Sequence, residues 1–120
     1  MSERLSSTSE PSAQPIIINS LSFAHEVLKS DLPVLIDVST EWCPPCKAAK
    51  PVVADLAKRH AGRLKVVMLD GDEAADLVAT LGVRGFPTFL GVRDGEIVAR
   101  QAGFGGKRGL EALADTILGA

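Results

Sequence analysis

Cys43 and Cys46 are the only two cysteines in this 120-residue chain, and they lie three positions apart. A bridge between them would close so small a loop that it would restrict the unfolded chain very little, which makes it a poor structural staple. Sulfurs so placed are better suited to giving and taking electrons by thiol–disulfide exchange. They stand in Trp42-Cys43-Pro44-Pro45-Cys46-Lys47, shortly after the apolar run Val34-Leu35-Ile36-Asp37-Val38. Pro44 and Pro45 suit the first turn of a helix, where backbone N–H groups have no partner inside the helix anyway. Cys43 then falls just ahead of that helix, where unpaired amides and the positive dipole end stabilise a thiolate. It is expected to be the exposed nucleophile with the lower pKa. Cys46, one turn in and facing back, is placed to attack a mixed disulfide.

Cys-x-x-Cys is also half of many zinc sites. A closed site needs four ligands, and the chain adds only His25 and His60, with no second histidine after His60 at finger spacing. The ligand count disfavours a metal.

The elements that must position the pair follow from hydropathy patterning. Ile16-Ile17-Ile18 reads as a short buried strand. Asn19 to Ser22 offers capping side chains for a helix whose buried stripe is Phe23, Val27 and Leu28, broken by Asp31-Leu32-Pro33. Val34 to Val38 has the continuous apolar character of a central strand covered on both faces. The cysteine helix runs to about Ala61, with a kink expected at Pro51 and Gly62 ending it. Leu64 to Leu69 is another strand. A short helix capped by Asp72 turns Leu77, Val78 and Leu81 inward and stops at Gly82. Thr88 to Val92 and Glu96 to Gln101 form a hairpin around Arg93-Asp94-Gly95, and Gly91 is expected to weaken packing in the first of these strands. A last helix follows Gly105-Gly106, with Leu110, Leu113, Ala114, Ile117 and Leu118 at helical spacing. The order βαβαβαββα implies an α/β domain over 16–120, its central sheet parallel in one half and antiparallel at one edge, with helices on both faces.

Asp37 interrupts an apolar strand, where an unpaired carboxylate is costly. Burial would raise its pKa and make it a proton carrier near the working pH. The alternative, an aspartate on the exposed side of an edge strand, fits poorly with apolar neighbours on both parities.

Composition narrows the class. An apolar fraction of 46% and a charged fraction of 23% are those of an ordinary globular protein. A net charge of −2 supplies no field for nucleic acid or an anionic membrane surface. Residues 1–15, rich in serine, read as a flexible tail without the apolar stretch of a secretory signal, and nothing later is long enough to span a bilayer. Two cysteines in such a chain point to a reducing compartment, so the expected location is cytoplasmic.

The chain resembles the thioredoxin family from about Ile16 to Leu118. The resemblance rests on Asp37 ahead of the cysteines, Glu41-Trp42-Cys43-x-Pro45-Cys46-Lys47, Pro51, Gly82-Val83-Arg84-Gly85-Phe86-Pro87-Thr88, Asp94-Gly95-Glu96 and Gly103. It implies the thioredoxin fold, a mixed sheet of about five strands flanked by four helices. It implies protein-disulfide reduction through a Cys43/Cys46 dithiol–disulfide cycle, with Asp37 helping to deprotonate Cys46. An ordinary trans proline is the plain reading of Pro87 at a strand start; the resemblance implies a cis Phe86–Pro87 peptide beside the sulfurs instead. Trp42, Phe86, Pro87 and Gly103 would then form an apolar rim for protein substrates.

By the same resemblance the chain binds no cofactor or metal, acts as a monomer, and is recycled by a thioredoxin-reductase-type flavoprotein that holds the NADPH chemistry. Three positions depart from the common pattern. Pro44 replaces the usual glycine, stiffening the turn and deleting one N–H. Ser39 stands where many relatives carry a second tryptophan, and Met68 where a lysine often pairs with the aspartate. Losing that lysine should leave Asp37 harder to ionise. The rival functions are a reductase dedicated to one client, a docking module on the same fold, and an oxidase or isomerase in an oxidising compartment.

Overall fold

The computed structural model describes residues 13–119. The expected tail therefore falls, except for 13–15, outside the described residues. Five strands, β1 (Ile16–Ile18), β2 (Val34–Ser39), β3 (Lys65–Asp70), β4 (Thr88–Arg93) and β5 (Glu96–Ala102), alternate with α1 (Ala24–Leu28, a single π-helical turn), α2 (Pro44–Arg59), α3 (Ala75–Thr80) and α4 (Gly106–Leu118). They form one sheet in the order β1-β3-β2-β4-β5. β1, β3 and β2 run parallel, while β4 and β5 are antiparallel to their neighbours. This is the mixed five-stranded sheet with four helices that the hydropathy order and the resemblance imply.

The alternation of β2 decides which side chains reach which layer. Val34, Ile36 and Val38 point to one face, where Phe23, Val27, Ala74 and Val83 complete a core under α1 and α3. Leu35 points to the other, packing with Ala49, Val53 and Leu56 of α2 and Leu110, Leu113 and Ile117 of α4. Asp37, two residues on, shares the α2/α4 face. Its burial at 0% exposure excludes the edge-strand alternative.

Several expectations need correction. β1 is a sheet edge rather than buried, so Ile17 is 84% exposed while Ile18 enters the core. In α1 the Lys29 N–H reaches the Ala24 carbonyl, a five-residue span. That wider turn takes Leu28 off the buried stripe, leaving it 46% exposed. Asn19 caps a turn instead of a helix, its Oδ1 accepting from the amides of Leu21 and Ser22. Asp72 is not the cap ahead of α3. The Oδ1 of Asp70 accepts from the amides of Asp72 and Glu73, and Ala74 is the N-terminal flanking residue of the helix.

The hairpin turn forms as its residues dictate, with Asp94 at φ 53° and Gly95 at φ 80°, a two-residue loop matching the strand twist. Gly91 does not weaken packing; it permits it. A Cβ there would stand 2.8 Å from Cδ1 of Ile117 and closer still to Cγ1. The bare backbone thus lets α4 seat its isoleucine on the sheet. Gly91→Ala should destabilise by about 1–3 kcal/mol through overpacking, read as a lower urea midpoint at unchanged slope. An unchanged midpoint would show that α4 shifts freely.

Candidate active site

The chain leaves β2 at Ser39, turns through Thr40 to Trp42 and enters α2 with Cys43 as its N-terminal cap. Pro44 and Pro45 occupy the first two helical positions and carry no N–H, so the first helical amide is that of Cys46. It donates to the Sγ of Cys43 at 3.2 Å. A helix head that could spread several donors here concentrates one on the sulfur, and this donor together with the dipole stabilises a thiolate at Cys43.

Cys43 and Cys46 form a disulfide, with Cα atoms 5.2 Å apart. Both residues are buried, at 3% exposure each. Exposure of the whole residue therefore does not single out Cys43, contrary to the expectation. The two differ in surroundings instead. The Sγ of Cys43 lies 3.5 Å from the carbonyl oxygen of Phe86; in the disulfide this is a contact, since the sulfur has no proton to give. Cys46 lines a cleft of about 500 Å³ whose walls include Ser39, Thr40, Lys50 and Met68.

Opposite the sulfurs, the Phe86–Pro87 peptide bond is cis. The loop before it is closed by the Thr88 hydroxyl donating to the Gly85 carbonyl at 2.7 Å. The Pro87 carbonyl accepts from the Gly103 amide at 2.8 Å, which brings Gly103 to the same wall. Trp42 is 66% exposed. Its indole N–H donates to Asp72 Oδ2 at 2.8 Å, and its ring meets Phe86 edge-on with centroids 6.1 Å apart. All seven residues named from the sequence at and around the thiols, with Pro44 and Pro45, are thus on the elements that meet at the carboxyl end of β2.

Asp37 lies beneath them. Burial pushes its carboxyl up from the ordinary 3.8 to about 6, and the Ser39 hydrogen bond and the Lys50 charge hold it back. Ser39 Oγ donates to Asp37 Oδ1, while Oδ2 has no hydrogen-bond partner among the described residues. Met68 sits directly opposite Asp37 on β3 and brings no charge. Ser39 and Lys50 favour the carboxylate, but by less than burial disfavours it. Both were legible in outline: Ser39 is two residues after Asp37, on the same strand face, and Lys50 is one turn beyond Cys46 on the same helix face.

Among the described residues no cluster of three or more histidine, cysteine or acidic side chains could hold a metal, and no helix is long and apolar enough to cross a membrane. A two-sulfur couple at a helix head, over a buried carboxyl and beside an apolar wall, defines a thiol–disulfide oxidoreductase. Comparison with known proteins gives the family. The thioredoxin family model matches residues 14–118. The chain is 42% identical over 98 residues to a thioredoxin of Pseudomonas aeruginosa, covering 82% of this chain and 91% of that one. It is 41% identical over 86 residues to a thioredoxin of Haemophilus influenzae, covering 72% and 80%. With thioredoxin C-2 of Corynebacterium nephridii it shares 38% over 93 residues, covering 78% and 86%. The chain belongs to the thioredoxin family, whose members are protein-disulfide reductases that carry no bound cofactor, the redox centre being the cysteine pair itself.

The raised Asp37 pKa fixes a pH signature. Below about pH 3 the carboxyl is protonated in both folded and unfolded chains. As pH rises towards and through 6, the unfolded chain ionises first and the folded state loses stability, by about 3 kcal/mol in all for a shift from 3.8 to about 6. Asp37→Asn should therefore gain about that much on the wild type between pH 3 and pH 8, measured by urea unfolding of the oxidised protein; parallel pH profiles would contradict it. Ser39→Ala removes a hydrogen bond that favours the carboxylate. It should move the Asp37 titration, followed by carboxyl carbon NMR, to higher pH, and a shift to lower pH would refute the assignment.

Proposed function

We propose that this chain reduces protein disulfides as a single domain over 16–120, with Cys43 attacking and Cys46 resolving. The carrying observation is the Cys46 amide aimed at the Cys43 sulfur at 3.2 Å, at the head of α2 and beside the Phe86 carbonyl. The Cys43 thiolate attacks one sulfur of the client disulfide, forming a Cys43–client bond and expelling the other client sulfur as a thiolate. Cys46 gives its proton to the carboxylate of Asp37, directly or along the cleft that Ser39 lines. The Cys46 thiolate then attacks Cys43, forms the Cys43–Cys46 disulfide and releases the second client thiolate. Two electrons have passed to the client, whose two thiolates take protons from solvent, while the Cys46 proton is left on Asp37.

A pKa of about 6 supports the base role of Asp37, since the carboxyl is mostly ionised at neutral pH yet not so weak a base as an exposed aspartate. Trp42, Phe86, Pro87 and Gly103 form the wall against which an extended client segment lies. Backbone pairing along that wall gives affinity without reading many side chains, which suits a broad range of protein clients. Pro44 and Pro45 tune the couple by limiting the amides available to the Cys43 sulfur.

The dithiol is restored by a flavoprotein of the thioredoxin-reductase type, which draws on NADPH; the chain carries no Gly-x-Gly-x-x-Gly fingerprint of its own. The protein works as a monomer in the cytoplasm.

Cys43→Ser should abolish reduction of insulin disulfides by dithiothreitol-reduced protein. Cys46→Ser should instead accumulate a Cys43–client mixed disulfide, detected by mass spectrometry. Trapping through residue 46 in the Cys43→Ser variant would reverse the roles, and undiminished insulin reduction by that variant would leave only a docking function.

A further inference from the structure

Gly71 follows β3 and is buried, its amide donating to the Ser39 carbonyl at 2.8 Å. Its lack of a side chain is filled by a neighbour. A Cβ on residue 71 would stand 2.6 Å from Cζ of Phe86 and 3.2 Å from Cδ1, with Cε1 closer still. The Phe86 ring therefore lies down in the space that any other residue at 71 would occupy. That seat brings it edge-on to Trp42, whose indole is itself tied to Asp72, the residue after Gly71. The main chain of Phe86 touches the Cys43 sulfur at the same time.

The geometry points to Gly71 as a specificity-determining residue: by seating the Phe86 ring against Trp42 it builds a two-walled aromatic surface beside Cys43 that takes an aromatic side chain next to the client cysteine. This rests on the proposed role of Trp42 and Phe86 as client-contacting residues and adds to it the class of client side chain preferred. An aromatic side chain is the fitting occupant because two rings already set at right angles offer a third both an edge and a face. Trp42 is held in place by its hydrogen bond to Asp72, so little side-chain freedom is lost when a client arrives. Phe86 is likewise fixed, half-buried against the core under α1 and α3.

The test uses prereduced full-length protein and two disulfide-cyclised peptides, identical except for phenylalanine or alanine beside one cysteine. Second-order oxidation rates are followed by the fluorescence of Trp42, the only tryptophan in the chain. Wild type should prefer the phenylalanine peptide by roughly threefold to tenfold, the range expected of an aromatic pair. Gly71→Ala forces the Phe86 ring off its seat and should bring the ratio close to one. A general loss of structure would slow both peptides without being selective, and Phe86→Ala, which introduces no clash, should lower the ratio as well. Equal wild-type rates on the two peptides would overturn the inference, as would a wild-type ratio retained in either variant. Reaction with neither peptide would overturn the reductase mechanism itself, whereas equal brisk reaction with both would remove only the aromatic preference.

Discussion

The unpaired amides at the head of α2 are the constraint on which the chemistry of this protein depends. A helix must begin with donors that have no partner inside it, and here the first two are removed by Pro44 and Pro45. What remains is a single N–H, that of Cys46, directed at the Cys43 sulfur at 3.2 Å. The sheet serves this arrangement. β2 is central, flanked by β3 and β4, and its fixed position delivers the chain into the helix so that the sulfurs arise at its carboxyl end. The layers on both faces hold β2 and α2 in that relation, with Leu35 of the strand packed under Ala49 and Val53 of the helix.

The same strand carries the second necessity, a buried carboxyl. Charge in an apolar layer is unfavourable unless paired, and the usual solution is a nearby cation. In this chain Met68 stands directly across from Asp37, and partial compensation comes from elsewhere: a hydroxyl from Ser39 on the same strand and the charge of Lys50 on α2. Neither neutralises the carboxylate fully, and burial keeps the pKa near 6. An acid–base group so poised trades folding stability at neutral pH for the ability to accept a proton there. Ser39 also lines a cleft of about 500 Å³ together with Cys46, Lys50 and Met68. Residues 39 and 68, both set apart from the common family pattern, thus both neighbour Asp37.

The rim shows a comparable compensation. Phe86 needs room that Gly71 supplies, much as Ile117 needs the room left by Gly91. In both places a glycine far from its partner in sequence exists to admit a bulky side chain from another element. Packing at this density has no slack for an added methyl group, so each pair constrains the other.

Patterning and motif made much of this legible in the sequence. The apolar runs of β2 and β3, the helical hydropathy of α2 and α4, the Asp94-Gly95 turn and the reactive pair at a proline-marked helix start all follow from local rules, because the forces that set them act over a few residues. Elements whose form depends on neighbours were less legible. β1 is exposed on one side because it lies at an edge, α1 widens to a π-turn that releases Leu28, and Asp70 rather than Asp72 holds the turn before α3. Only the tertiary structure decided that Trp42 would be pinned by Asp72, thirty residues away, and that Gly71 would seat Phe86. The sequence alone determined the chemistry, since two thiols and a buried acid are properties of residue type and short-range order. The shape of the surface that meets a client was set by contacts between distant segments, which exist only once the sheet has brought them together.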